Sequence, residues 1–132
     1  VQKGTDIALF ALGKMVSISI EAAELLEREG YSVTVCDLRF AKPLDETMIR
    51  SQSKGKRVVV SLEDGTVMGG IGEKIKNIVG GNVLIKAFPD ECIPHGSVKQ
   101  LFEKYHMDAK SIADDVLERV KHEGKIRYLV NQ

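Results

Sequence analysis

Ile7-Ala8-Leu9-Phe10-Ala11-Leu12 is an unbroken run of six apolar residues. Successive side chains of a strand point to opposite faces, so a run with no polar member fits a strand covered on both sides. A parallel sheet lying between layers of helices provides that cover. The run is far too short for a bilayer, which takes about 20 residues. The next segments are consistent with a covered sheet. Residues 15–29 read as a helix in which Ile18, Ala22, Leu25 and Leu26 share one face. Gly30, just past Arg28, stands where a left-handed C-cap is needed. Residues 33–38 read as a second strand. Strand, helix and strand with short joins make a βαβ unit, whose crossover is right-handed.

The pattern continues down the chain. Pro43 interrupts it, and Asp45 can then N-cap a short helix that turns Met48 and Ile49 inward. Residues 57–63 form a third strand around Val58-Val59-Val60, and residues 64–72 read as a glycine-rich loop. A helix from about residue 70 to 79 buries Ile71, Ile75, Ile78 and Val79 and ends at Gly80-Gly81. Residues 83–88 are the fourth strand, closed by Pro89. Ser97-Val98-Lys99-Gln100 fits a capping box, followed by Leu101, Phe102 and Tyr105 on one face. Asp108 caps the last helix, whose stripe is Ile112, Val116, Leu117 and Val120 and whose stop is Gly124. The tail after it, with Ile126, Tyr128, Leu129 and Val130, is apolar enough for an edge strand. The expected architecture is a three-layer α/β/α domain over residues 1–123, with residues 124–132 as an unassigned tail.

Composition narrows the function. At 132 residues the chain fits one domain. Lys+Arg and Asp+Glu each number 19, so there is no positive excess for nucleic acid or an anionic membrane surface. The two cysteines, Cys36 and Cys92, form no CxxC and suggest neither a metal site nor a disulfide framework; a reducing cytoplasm is the expected setting. The opening Val1-Gln2-Lys3 lacks an initiator Met and runs almost at once into a strand, which reads as a piece of a longer polypeptide or as a processed N-terminus.

Four places could carry chemistry. Gly69-Gly70-Ile71-Gly72 follows a strand and opens a helix, where backbone amides attract anions; its spacing is neither GxGxxG nor a P-loop. The bland alternative is that these glycines only permit a tight turn. Glu63 and Asp64 end the third strand, but neighbours in a strand point apart and make a poor acid–base pair. A basic partner for one of them across a domain or subunit boundary is the more economical reading. Arg39 ends the second strand and could grip a phosphate or brace its loop against Glu63 or Asp64. His95, between Pro94 and Gly96, is a plausible acid–base group for which no orienting partner is evident. His106 and His122 lie in or near amphipathic helices and read as solvated.

Taken in order, these segments resemble a known family. Gly4-Thr5-Asp6 before an apolar strand resembles the opening of the C-terminal domain in the transketolase superfamily. Leu38-Arg39-Phe40-Ala41-Lys42-Pro43-Leu44-Asp45 resembles the R-F-x-K-P-L-D stretch of the 1-deoxy-D-xylulose-5-phosphate synthases. Residues 61–72, from Ser61-Leu62-Glu63-Asp64 to Gly69-Gly70-Ile71-Gly72, resemble their V-x-x-E-E/D-x-x-x-M-G-G-x-G segment. Phe88-Pro89-Asp90-Glu91-Cys92-Ile93-Pro94-His95-Gly96 resembles their L-P-D-x-F-I-x-H-G loop. Tyr105-His106-Met107-Asp108-Ala109 resembles the usual G-L-D-A before the last helix, with His106-Met107 in place of Gly-Leu on what reads as a surface loop.

The resemblance implies a mostly parallel, five-stranded mixed sheet. It implies a full-length transferase that joins pyruvate, after decarboxylation, to glyceraldehyde 3-phosphate, using thiamine diphosphate and Mg²⁺. In that family the cofactor lies between two upstream domains, which carry the metal ligands and catalytic groups. The part seen here is then non-catalytic, docks on those domains and supports a homodimer. Arg39, Glu63, Asp64, Gly69, Gly70, Gly72 and His95 are the expected contact residues, with no metal ligand among them. The alternatives are a C-terminal domain of a transketolase or of a 2-oxo acid dehydrogenase β subunit, or a stand-alone anion-binding module.

Overall fold

A computed structural model describes residues 6–38, 45–66, 70–81, 83–88 and 98–130, with the backbone alone at 64–66, 88, 98, 99, 101 and 123–130. The elements run β1 (Ile7–Ala11), α1 (Met15–Arg28), β2 (Val33–Asp37), α2 (Glu46–Ser53), β3 (Val58–Thr66), α3 (Ile71–Val79), β4 (Val83–Phe88), α4 (Val98–Lys104) and α5 (Ala109–Val130).

The apolar run becomes a central strand. The sheet order is β2-β1-β3-β4 and every pairing is parallel. All residues of β1 are fully buried. Alternation sorts them into two cores: Ile7, Leu9 and Ala11 pack with Met15, Leu26, Ile112 and Val116 of α1 and α5, whereas Ala8 and Phe10 pack with Ile49 of α2 and with Ile71 and Ile75 of α3. A helix layer on each face removes both sets from water, and a fully buried side chain of the size of Leu9 or Phe10 contributes about 1.5–3 kcal/mol.

Local signals set several boundaries. At the end of α1, Gly30 takes φ 94°, its N–H donates to the Glu27 carbonyl at 3.0 Å, and the Tyr31 N–H donates to the Leu26 carbonyl at 3.2 Å. This is a Schellman turn. At α2 the Asp45 carboxylate accepts from the Met48 N–H at 3.0 Å, and Ile49 is buried as expected. Lys86 of β4 pairs with Asp115 of α5 at 2.8 Å, fastening the last helix to the edge of the sheet.

Four expectations need correction. Among the described residues the sheet has four strands, all parallel, rather than five in a mixed arrangement. β3 continues through Thr66 where a loop from residue 64 was expected, because β4 remains beside it and pairs Phe88 with Thr66 beyond a register shift. Gly124 does not stop the last helix, which runs on to Val130, so residues 124–130 are helical rather than an edge strand. A lone glycine costs a helix about 1 kcal/mol, too little by itself to end one. Met107 is only 1% exposed and belongs to the core, not to a surface loop. No helix among the described residues is long and apolar enough to cross a membrane.

Candidate functional site

The strand order places β1 between β2 and β3, with the next crossover leading outward to β4. The carboxyl ends of β1 and β3 are therefore the topological switch point, the crevice where open α/β sheets hold ligands. β1 ends level with Leu62 of β3, and the Leu12 N–H donates to the Leu62 carbonyl at 2.9 Å. Glu63, the next residue, stands at this crevice.

Glu63 is only 8% exposed. Parity turns it to the same face as Val59 and Ser61, under α3. There its Oε1 accepts a hydrogen bond from the Ile71 N–H at 2.7 Å. Ile71 opens α3, and its amide is one of the first-turn donors that no intrahelical carbonyl can satisfy; the N-cap residue Gly70 supplies no side-chain cap. A carboxylate eight residues upstream does so instead, in favourable alignment with the helix dipole. The first turn of α3 also carries Glu73. An incoming phosphate would meet a carboxylate already seated on the amide it needs. The arrangement suits a clamp that fixes the start of α3 better than a phosphate cradle.

Gly72 lies one residue farther into α3. A Cβ built there would fall 2.7 Å from both Ile85 Cγ2 and Ser61 Oγ. Its glycine is required by close approach of α3 to β3 and β4, not by an unusual backbone angle. Glu63 and Gly72 thus serve the same end from opposite sides, pressing the start of α3 onto the sheet.

The structure brings Glu63, Gly70 and Gly72 together at one edge, as their placement after the third strand implies. The partner it gives Glu63 is a backbone amide. Arg39, Gly69 and His95 lie outside the described residues, as do Cys92 and Ser97, and so do the Arg39 brace and the capping box built on them. Asp64 is described by its backbone alone. Cys36 is buried, and burial pushes its thiol above the ordinary value against a smaller pull from Lys56, so it is a core residue rather than a nucleophile. His106 and His122 are exposed. Among the described residues no group of three or more His, Cys, Asp or Glu side chains could hold a metal ion.

A second surface was missed by reading the sequence. A shallow cleft of about 460 Å³ lies between α1 and the α4–α5 turn, lined by residues that include Lys14, Ile18, Glu21, Phe102 and Asp108. Its lining comes from residues some ninety positions apart, which no spacing in the sequence connects. At its rim the α4–α5 turn repeats the geometry at the end of α1. His106 has φ 57°, its N–H donates to the Glu103 carbonyl at 3.2 Å, and the Met107 N–H donates to the Phe102 carbonyl at 2.7 Å. The position takes a left-handed backbone, which favours glycine, and here a histidine adopts it. Asp108 then caps α5, its Oδ2 accepting from the Ser111 N–H at 3.2 Å. Burial alone would raise the Asp108 carboxyl, but hydrogen bonds from the Ser111 side chain and backbone outweigh it and hold the group below the usual carboxylate range.

Comparison with known proteins gives this architecture a context. The family described as transketolase, C-terminal domain, matches residues 1–112. A 1-deoxy-D-xylulose-5-phosphate synthase from Caldanaerobacter subterraneus subsp. tengcongensis is 46% identical over 124 residues, covering 90% of this chain and 20% of that one. The protein of that name from Chlorobium luteolum is 35% identical over 123 residues, covering 89% and 20%. The chain thus spans about a fifth of the length of these curated relatives. Among solved structures, a split-gene transketolase described as an inactive β4 tetramer superposes with a TM-score of 0.82 at 27% identity, covering 91% of this chain and 41% of that one. A Pichia stipitis transketolase, at 19% identity and a TM-score of 0.71 over 95% of this chain and 18% of its own, shares the fold.

Proposed function

The chain belongs to the transketolase C-terminal domain family, and from that premise we propose that it is the C-terminal docking domain of a thiamine-diphosphate-dependent transferase that condenses pyruvate with glyceraldehyde 3-phosphate to 1-deoxy-D-xylulose 5-phosphate. The observation that carries this reading is the 46% identity to a synthase of that name across 90% of the chain. The motifs that resemble those of the synthases, from residues 38–45 to residues 105–109, support it by lying in one consistent order.

In this reading the chain's own part is non-catalytic. The Glu63 carboxylate seated on the Ile71 amide speaks against a diphosphate at the start of α3. Thiamine diphosphate and Mg²⁺ are accordingly assigned to upstream domains of the same polypeptide, and no chemical step is routed through the residues described here. The carboxyl edge bearing Glu63, Asp64, Gly70 and Gly72, together with Arg39, Gly69 and His95, is the surface proposed to face those domains and to support a cytoplasmic homodimer. The work of Glu63 and Gly72 would be mechanical. They hold a rigid helix start against the sheet, so that the docking edge keeps one shape and loses little entropy on association.

The test compares this 132-residue chain with the full-length polypeptide that contains it. Each is given pyruvate, glyceraldehyde 3-phosphate, thiamine diphosphate and Mg²⁺, and pentulose phosphate formation is followed. The full-length protein should turn over, the 132-residue chain should not, and deleting this region should lower both activity and dimer content. Turnover by the short chain alone would overturn the docking role. A full-length protein that transfers two-carbon units between sugar phosphates without consuming pyruvate would be a transketolase instead.

A further inference from the structure

We draw no further inference here: the strongest candidate, the shallow cleft between α1 and the α4–α5 turn where Glu21 and Asp108 flank Ile18, Phe102 and Ala109, carries nothing because nothing in the structure shows what covers it.

Discussion

α3 and α5 start in different ways. α5 is capped by Asp108, the residue immediately before it, through a hydrogen bond to an amide three positions on. α2 follows the same local rule with Asp45. α3 begins at a glycine with no capping side chain, and its first amide is satisfied by Glu63 of β3. A local cap can form as soon as its own turn forms. The cap on α3 can form only when β3 and α3 have docked. The two kinds of start therefore differ in what they depend on: one on a few neighbouring residues, the other on the assembled sheet.

This contrast is open to measurement, and the largest effect should come from Glu63. Glu63→Ala leaves a buried helix amide without its charged acceptor, which costs about 2–3 kcal/mol. Glu63→Gln keeps an acceptor and should lose about half of that. Urea melts of both variants provide the check. Equal and negligible losses would mean that the Ile71 amide finds water instead and that the clamp is unimportant.

Gly72→Ala comes next. Its methyl meets Ile85 and Ser61 at a distance real side chains do not reach, so the helix start must lift or the neighbours must shift. Overpacking of this kind costs about 1–3 kcal/mol. A control substitution at Gly81, where a Cβ meets nothing within 4 Å, should cost much less. If the two alanine variants melt alike, close approach is not what the glycine at 72 provides.

The local caps should respond more mildly. Asp45→Ala and Asp108→Ala are each expected to cost about 1 kcal/mol. For Asp108 the effect also depends on pH. Its carboxyl is held low in the folded chain, so its contribution is complete above the ordinary carboxylate value of about 3.9 and disappears as the pH falls through the lower folded value. The gap in Tm between wild type and Asp108→Ala should hold steady from about pH 7 to 5 and close in stronger acid. A gap that stays constant into that acid range would show that the charge plays no part in the cap.

The smallest effect, and the one of opposite sign, is His106→Gly. Relieving a left-handed backbone at a residue with a Cβ should raise stability by about 1 kcal/mol or slightly less, offset in part by the freedom glycine gains in the unfolded chain. A fall in Tm would show that the His106 side chain contributes contacts that outweigh its backbone cost.

The carboxyl edge shows where sequence patterns lose their force. Glu63 stood out because the third strand read as ending there, and the structure sets its carboxylate against the first amide of α3. The amide it bonds was not legible, because nothing in the linear order marks a backbone N–H eight residues on as a donor. The basic partner expected for it, Arg39, lies outside the described residues. Gly72 was legible as a glycine with a purpose, but turn formation and close packing leave the same letter in the sequence.

Local physics alone determined the buried central strand, the stripes of α1 and α5, the glycine stop of α1 and the aspartate caps of α2 and α5, since each depends on residues within about one or two turns of one another. Only the tertiary structure decided how far β3 continues, that Met107 is a core residue, and that Glu63 closes the start of α3. Each of these turns on a neighbour brought close by folding, and the energies at stake there exceed the local preference of a single glycine or loop residue.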